Sequence, residues 1–434
     1  MNITSRAPRR TRLRALFLGV LLPVVAAPAL RADSYDDAYI ESFYITQCSA
    51  TSANAGVTLG SGQPAYGVFN DWRIGNGRAD FVQPGEAAIG AIGLLYGYNR
   101  LIGAGRSNSN LDGRAKTALS GFFWSWVRNG NNRQGNAFTA NIAYDAAGNV
   151  TSKSGGDARV TAEILIAMRK YCELSPNGDR ASYQSQEYGL AHGMADFINV
   201  NFGSWTIDRA YVVAAFHCFG NWATAVGDTG TASYYHGRAN EISGWLAQAQ
   251  DLGSWHNYYD YLDGAGHGVY NGGIDQTGFA PYEFNARWAG ENYAKLVADW
   301  WNYGTAYNGV SLTQQGGTYN GGVHQWTPAS GSAPNLYPGS ALQLADAEWK
   351  IANATGNYNN LYGAAWWHYN FTKTGSGCWV NNTAVDGYLG GFIDWVNPND
   401  NSRPAGWQRF VDTSGYFLIA TEELAFSNLV DFSY

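Results

Sequence analysis

The stretch Asp157–Leu174, with the sequence DARVTAEILIAMRKYCEL, decides the fold class. Its apolar side chains recur at the spacing that places them on one side of an α-helix: Val160, Ile164, Met168 and Tyr171. Asp157 follows two glycines and is a plausible N-cap, because its carboxylate can accept hydrogen bonds from the amides of a first turn. The stretch is therefore predicted to be an amphipathic helix with one face in a core.

The same periodicity recurs along most of the chain, in segments separated by Gly/Asn-rich loops. The further predicted helices are Glu86–Leu101, Arg114–Arg128, Ser182–Asn199, Ile207–Val226, Ser233–Gln250, Pro281–Trp301, Ser340–Thr355, Asn359–Phe371, Asp386–Val396 and Gly406–Phe426. Another helix is expected in Leu312–Val323 or near Ala38–Ile45. Strand-like runs are few and short, so the chain is predicted to be all-α.

Residues 1–32 are predicted to be a secretory signal peptide. Five arginines precede an apolar run, Ala15–Ala27, and small residues suited to cleavage follow it. The run is too short for a membrane span, and no later stretch is long and apolar enough for one. We therefore expect a secreted or periplasmic protein that is not inserted in a membrane.

The composition favours sugar ligands and disfavours polyanions. The chain has 17 Trp, 29 Tyr and 54 Gly, whereas charged residues make up 14% against roughly 25% in an average domain. The formal net charge is −7, and the predicted signal peptide contains only basic charges, so its removal makes the charge more negative. This balance argues against nucleic acid as a partner. Loops rich in aromatic and amide side chains are typical of secreted carbohydrate-active proteins.

The serial helices, the aromatic-rich loops and the export signal resemble the six-hairpin glycosidase-like superfamily. The resemblance covers most of residues 40–430, and it rests on no specific family motif. It implies a single catalytic domain over residues 33–434, folded as an (α/α)6 toroid of six helical hairpins with Gly/Asn/aromatic-rich loops. It also implies a cleft formed by loops at one end of the inner helices, and a monomer as the working form.

The cysteines and the known binding motifs give no sign of a cofactor or a metal. Cys48, Cys172, Cys218 and Cys378 are widely spaced and lack the spacing of a zinc site, so they form up to two disulfides or stay as buried thiols. Nucleotide-binding glycine patterns, a nucleophile elbow and calcium loops are absent from the sequence. We expect neither a cofactor nor a metal.

The segment Gly272–Trp301 is the first candidate for the catalytic site. Asp275 and Glu283 flank a Gly/Pro turn at the start of a predicted helix, where a helix dipole and free amides meet a ligand. An inverting glycosidase needs a carboxylic acid that protonates the leaving oxygen and a carboxylate that activates water. We predict Glu283 as the acid and Asp275 or Asp157 as the base.

Two other helix starts carry acids in the same way. Asp157 and Glu163 lie in one, beside Arg159, which could order a carboxylate. Asp80 and Glu86 lie in the other. Glu86 and Asp157 are candidates for the opposite wall of the cleft, although an N-cap role for Asp157 and dipole compensation by Glu86 are the stronger interpretations. Asp208 opens another predicted helix and is interpreted as structural. Asp386 and Asp412, at the last two predicted helices, are weaker catalytic candidates.

Aromatic and basic side chains near these acids are candidates for substrate binding. Rings stack on sugar faces, and His or Arg can hold a polar substituent. The candidates are Trp72, Trp255, Tyr258, Tyr259, His267, Tyr270 and Arg287.

The predicted function is therefore a secreted glycoside hydrolase that acts on a polysaccharide or oligosaccharide by inversion. One alternative is a polysaccharide lyase on the same fold, with His267 or Tyr270 as the base and Arg287 against a uronate carboxylate. The other is a non-catalytic glycan-binding surface protein. The sugar, the linkage, and endo or exo action are left open by the sequence.

Overall fold

The protein is described by a computed structural model. The structure describes residues 30–52, 57–70, 81–249, 259, 261–269, 317–323, 335–356, 358–373, 377–380, 389–404, 409–428 and 430.

Helices dominate the described residues. The eleven α-helices are α1 Leu30–Cys48, α2 Pro84–Gly103, α3 Ser109–Ser120, α4 Ala158–Leu174, α5 Arg180–Gln186, α6 Tyr188–Asn201, α7 Thr206–Ala225, α8 Thr229–Gln248, α9 Pro338–Thr355, α10 Tyr358–Lys373 and α11 Val411–Leu424. A π-helical stretch, Gly121–Trp126, continues α3, and a short 3₁₀ turn occupies Gly130–Asn132. None of the described helices is long and apolar enough to cross a membrane.

The strands are short. They are β1 Phe81–Val82, β2 Arg133–Gln134, β3 Ala137–Phe138, β4 Ile142–Tyr144, β5 Val150–Lys153, β6 Tyr261–Leu262, β7 Gly268–Val269, β8 Phe392–Ile393 and β9 Arg409–Phe410. All pairings are antiparallel: β1–β4–β5 form one sheet, and β2–β3, β6–β7 and β8–β9 form pairs. Strands β1, β5 and β9 each precede an inner helix, so these small sheets lie at the amino ends of the inner helices.

The helices form an inner and an outer layer that alternate along the chain. In the inner layer, α7 packs on α4, α4 on α2, α2 on α11, and α11 on α9. In the outer layer, α1 packs on α2 and α11, α3 on α1 and α2, α6 on α4 and α7, α8 on α7, and α10 on α9. This alternation of inner and outer helices confirms the predicted helical hairpins.

The core fills the space between the layers. Its largest fully buried side chains are aromatic, among them Trp126, Trp222 and Tyr44. The inner helices also approach closely through glycine: a Cβ added at Gly93 of α2 would lie 2.4 Å from the Cα of Gly415 in α11. The backbones of α2 and α11 are therefore in direct contact.

Four predicted helices differ from the structure. In the described part of Gly406–Phe426, Arg409–Phe410 form β9 and the helix begins at Val411. In the described part of Asp386–Val396, the helix prediction is wrong: β8 pairs with β9, and Gly390 and Gly391 have φ of 92° and 84°, which a right-handed helix excludes. The predicted Ser182–Asn199 helix is two helices that meet at Glu187. The predicted Arg114–Arg128 helix starts earlier and becomes π-helical at Gly121.

The four cysteines all lie in described parts of the chain, and no disulfide joins them there. All four are buried. Of the two alternatives left open by the sequence, the structure has the buried thiols.

Candidate active site

A polar cavity lies where the amino ends of the inner helices converge. Its volume is about 130 Å³. Helices α2, α4, α7, α9 and α11 all contribute to its lining, which comprises Gln83, Gly85, Glu86, Ile89, Ala140, Arg159, Val160, Glu163, Tyr211, Gln343, Asp412 and Tyr416. A cavity at this position meets the positive ends of several helix dipoles, which favour negative charge.

Glu163 is the most buried acid of this lining, with 7% of its surface exposed. Burial raises the pKa of its carboxyl from 4.5 to about 7; Arg159 lowers it, and the charges of Asp157, Asp208 and Asp412 raise it. Its Oε1 lies 3.9 Å from Nε of Arg159. A Cβ at Gly85 would lie 1.9 Å from its Oε2, so the carboxyl rests against the first turn of α2. Among the described residues, none donates a hydrogen bond to it.

Asp412 is the second acid with a perturbed pKa. It is the second residue of α11, and its Oδ1 accepts hydrogen bonds from the amide (2.6 Å) and the hydroxyl (3.3 Å) of Thr413. Burial and, to a smaller extent, the charge of Asp394 raise its pKa to about 6 despite these bonds. Burial also raises the pKa of Asp394 to about 6. Both side chains therefore hold a proton more readily than an exposed aspartate.

Arg159 is the cation of the lining. Burial acts to lower the pKa of its guanidinium, but Glu163, Tyr211, Asp208 and Asp157 together raise it. It therefore stays protonated and pairs with Glu163 on α4, while the charge of Asp208 on α7 also acts on it.

Hydroxyl and amide groups complete the lining. Tyr211 of α7 and Tyr416 of α11 are both buried, and their hydroxyls lie 3.1 Å apart, so they join two inner helices across the ring. Gln83 donates from Nε2 to Oε1 of Glu86 at 2.7 Å. The cavity thus combines two acids of raised pKa with several neutral hydrogen-bonding groups.

Comparisons with known proteins identify the fold. No protein-family model matches the chain, and no curated protein is similar in sequence. Solved structures do match: D-mannose isomerase at a TM-score of 0.61 and 12% identity, over 94% of this chain and 100% of that one. A sugar epimerase from a ruminal bacterium matches at a TM-score of 0.56 and 11% identity, over 91% of this chain and 99% of that one. Glucoamylase from Saccharomycopsis fibuligera matches at a TM-score of 0.55 and 10% identity, over 92% of this chain and 96% of that one.

The fold is the (α/α)6 toroid that these solved structures share. The predicted fold class is confirmed. At these identities the likeness establishes the fold of the toroid and leaves its chemistry to be argued from its own side chains.

Two predicted catalytic residues fall in the described part of the toroid. Glu86 lies in the first turn of α2 and lines the cavity, close to Glu163 on the neighbouring helix. Asp157 caps α4, because its Oδ1 accepts from the amide of Val160 at 2.9 Å. The capping role weighed for Asp157 is present, and its charge also acts on Glu163 and Arg159.

Two predicted binding residues lie away from this cavity lining. Tyr259 is half-buried, and its ring packs against Gly268 of β7. His267 is exposed in the turn between β6 and β7, where its Nδ1 lies 3.2 Å from Oδ2 of Asp263. That contact stabilises the turn. Neither Tyr259 nor His267 belongs to the cavity lining that contains Glu163.

The other predicted site residues lie outside the described residues and remain predictions from the sequence. They are Glu283, Asp275, Trp255, Tyr258, Tyr270, Arg287 and Trp72.

No local sequence pattern marks Tyr211, Tyr416, Gln343 or Gln83 for the site. Each occupies an ordinary helical or pre-helical position and faces the others only because the ring closes. Asp394 lies in a segment with helical periodicity, which conceals its position after β8. Within the described ranges, no three His, Cys, Asp or Glu side chains are grouped to hold a metal ion.

Proposed function

We propose that this toroid is a carbohydrate-active enzyme, and specifically a secreted glycoside hydrolase that cleaves O-glycosidic bonds by inversion. The observation that carries the proposal is Glu163, a buried carboxyl with a pKa of about 7 that opens into a polar cavity beside other acids. Groups with such pKa values in a cavity are typical of proton-transferring sites.

Glu163 is suited to be the general acid. With a pKa of about 7, it is largely protonated in mildly acidic solution, where an exposed glutamate is ionised. Since no described residue donates a hydrogen bond to its carboxyl, little local bonding is lost when its proton moves. It would give that proton to the glycosidic oxygen as the bond to the anomeric carbon breaks.

Asp412 is suited to be the base. With a pKa of about 6, it is ionised where Glu163 still holds its proton, so the two acids can differ in charge at one pH. The ionised Asp412 would take a proton from water while the water oxygen bonds to the anomeric carbon. Glu86 lines the same cavity and is the alternative base.

The structural neighbours are consistent with a sugar substrate. They include a glucoamylase, an endoglucanase, a D-mannose isomerase and a sugar epimerase, all of which act on carbohydrates. Isomerisation or epimerisation is the second candidate, because the TM-score to the D-mannose isomerase is 0.61, higher than the 0.55 to the glucoamylase. Both chemistries need a proton-transferring group, and Glu163 would supply it in either.

Product analysis tests the proposal. A panel of polysaccharides and oligosaccharides should include one from which the wild-type protein releases new reducing ends. Glu163→Gln should lower that turnover by at least about 10³-fold, because an amide cannot donate the proton. Nuclear magnetic resonance of the first product should show the inverted anomer.

Glu173→Gln is the matched control, because Glu173 lies near the other end of α4 and pairs with Arg169 and Lys170. It should keep activity within a few-fold. Near-wild-type turnover by a folded Glu163→Gln protein would contradict the assignment. If the protein converts free hexoses and releases no new reducing ends, isomerisation takes the place of hydrolysis as the proposed function.

A further inference from the structure

A second cavity lies in the outer layer of the ring, and none of its described lining residues belongs to the cavity at the inner helices. Its volume is about 450 Å³, which is within the range of small-molecule sites. It lies between the segment 57–70 and helix α3 with its π-helical continuation. This cavity, the outer groove, is therefore a candidate binding site that the proposed reaction does not use.

Backbone contacts hold the walls of the outer groove in place. Gly67 has a φ of 93°, and a Cβ there would lie 2.0 Å from the carbonyl oxygen of Gly121, so the segment 57–70 rests directly on the first π-helical residue. The amide of Gly67 donates to the carbonyl oxygen of Ala50 at 3.0 Å, and Asn132 Nδ2 donates to that of Pro64 at 2.8 Å. A ligand therefore meets walls that are already positioned, which lowers the entropic cost of binding.

The π-helix places two hydroxyl groups on the same wall. Ser120 and Ser125 both line the outer groove although they are five residues apart, a spacing at which α-helical side chains point about 140° away from each other. In the π-helix, the amide of Val127 donates to the carbonyl oxygen of Phe122 at 2.9 Å, and this i→i+5 bonding brings residues five apart close to one face. Such π-helical turns are frequent at functional sites.

The hydroxyl groups of the outer groove are available to a ligand. In other described helices, Thr161, Thr224 and Thr421 each donate to the carbonyl oxygen four residues earlier. Among the described residues, no side-chain hydrogen bond is made by the five hydroxyls of the groove lining, those of Ser61, Tyr66, Thr117, Ser120 and Ser125. A hydroxyl can both donate and accept, so these groups can pair with the hydroxyls of a sugar in either direction.

The charge of the outer groove favours a neutral ligand that is bound and not cleaved. Its described lining contains no carboxyl group, so it lacks the acid and the base of hydrolysis. Lys116 is the one cationic side chain of that lining, and it is exposed, so its charge is largely solvated. Tyr66 is half-buried and adds an aromatic side chain of the type that packs on sugar rings.

We propose that the outer groove is a second glycan-binding site, which holds a neutral stretch of a polysaccharide without cleaving it. Hydroxyls of the sugar would pair with Ser120 and Ser125, and Tyr66 would pack against a sugar ring. The proposal goes beyond the proposed function, since anchoring a polymer in this groove needs no turnover at Glu163.

The experiment is native affinity electrophoresis through gels that contain soluble starch, mixed-linkage β-glucan, galactomannan or polygalacturonate. At least one of the three neutral polymers should retard the wild-type protein. Ser120→Ala combined with Ser125→Ala should weaken that binding roughly tenfold, because two hydrogen bonds are lost while alanine favours the helix. Equal retardation of this double variant, or no retardation by any neutral polymer, would overturn the proposal.

Ser185→Ala combined with Ser233→Ala is the matched control, because both serines are exposed on other helices, α5 and α8, and line neither cavity. It should be retarded like the wild type. Lys116→Gln removes the charge of the groove and should bind the neutral polymer within about threefold of the wild type. If polygalacturonate alone retards the protein and Lys116→Gln abolishes that effect, the groove is an anion site and the proposal fails.

Failure of this proposal is distinguishable from failure of the proposed function. Glu163→Gln changes the other cavity, so the retardation that depends on the serine pair should persist in it. If Glu163→Gln stays active but the serine double variant loses its retardation, the hydrolase assignment fails and the glycan site stands. If hydrolysis depends on Glu163 but the double variant binds like the wild type, only the glycan site fails.

Discussion

The surroundings of each carboxyl group decide its proton affinity in this protein. Burial acts to raise the pKa of Asp179, but hydrogen bonds from Ser175, Trp124 and Tyr171 lower it below its ordinary value. Glu163 receives no such bonds from the described residues, and its pKa is raised. The hydrogen bonds therefore keep Asp179 ionised, whereas burial without such bonds lets Glu163 retain a proton that it can donate.

The pH dependence of turnover follows from these pKa values. Asp412 must be ionised and Glu163 protonated, so kcat/KM should be greatest between about 6 and about 7 and fall on both sides. Asp412→Asn should lower kcat and remove the acid limb of the profile. A rate profile that is flat from pH 4 to 9 would contradict both roles.

Part of this site is readable from local sequence. Asp157 follows two glycines and precedes an apolar helix, and it does cap α4. Arg159 lies near it in sequence, and its Nε lies 3.9 Å from Oε1 of Glu163. Tyr211 and Tyr416 are 205 positions apart, and only the closed ring makes their hydroxyls neighbours, so no local pattern marks them.

At the scale of elements, the approach of α2 and α11 determines where the cavity walls stand. Gly90 of α2 faces Val411, and Gly93 faces Gly415, with no side chain between the backbones at the second contact. Glu86 lies in the first turn of α2, and Asp412 lies in the first turn of α11. Any separation of the two helices would therefore widen the cavity between these two acids.

Gly93→Ala should therefore destabilise the protein. The added Cβ would lie 2.4 Å from Cα and 2.6 Å from the carbonyl oxygen of Gly415, and overpacking of this kind costs about 1–3 kcal/mol. Urea unfolding measures the change.

Gly103→Ala, in the last turn of the same helix, is the control, since a Cβ there meets no atom within 4 Å. It should leave stability unchanged or raise it by up to about 1 kcal/mol. Equal effects of the two substitutions would show that helix propensity, rather than the contact with α11, decides the outcome.

The segment that precedes α11 shows where element prediction fails. Residues 389–396 belong to a stretch with helical periodicity, yet β8 pairs with β9 instead. Glu41 of α1 accepts hydrogen bonds from Trp379 Nε1 at 2.6 Å and from the amide of Gly391 at 2.9 Å. These partners lie more than 300 residues away, so a window along the sequence cannot include them.

At the scale of the whole molecule, buried acids link stability to pH. Burial raises the pKa of Glu41 and Glu163 to about 7, and of Asp394 and Asp412 to about 6. A raised folded-state pKa contributes stability that is fully present below the unfolded value, near 4, and is lost as pH rises through the folded value. His368 opposes this trend, since burial lowers its pKa to about 4. The acids outnumber it, so stability should fall from pH 5 to pH 8.

Glu41→Gln tests this balance. Its raised pKa corresponds to about 3 kcal/mol lost between pH 4.5 and 7, and glutamine keeps the acceptor oxygen without the charge. The variant should melt at a higher temperature than wild type at pH 8 and at a similar temperature at pH 5. Exposed Glu241→Gln should match wild type at both. A variant less stable than wild type at pH 8 would contradict the prediction.

The contact between α2 and α11 also imposes an order on biosynthesis. Helix α2 is among the first elements to leave the ribosome, while its neighbour α11 is among the last of the 434 residues. At typical elongation rates that interval is roughly 15–65 s. During it, the face of α2 around Ile89, Ile92 and Gly93 has no permanent cover. In a nascent chain of this protein, the helix that later bears one wall of the cavity is therefore exposed to aggregation throughout this interval.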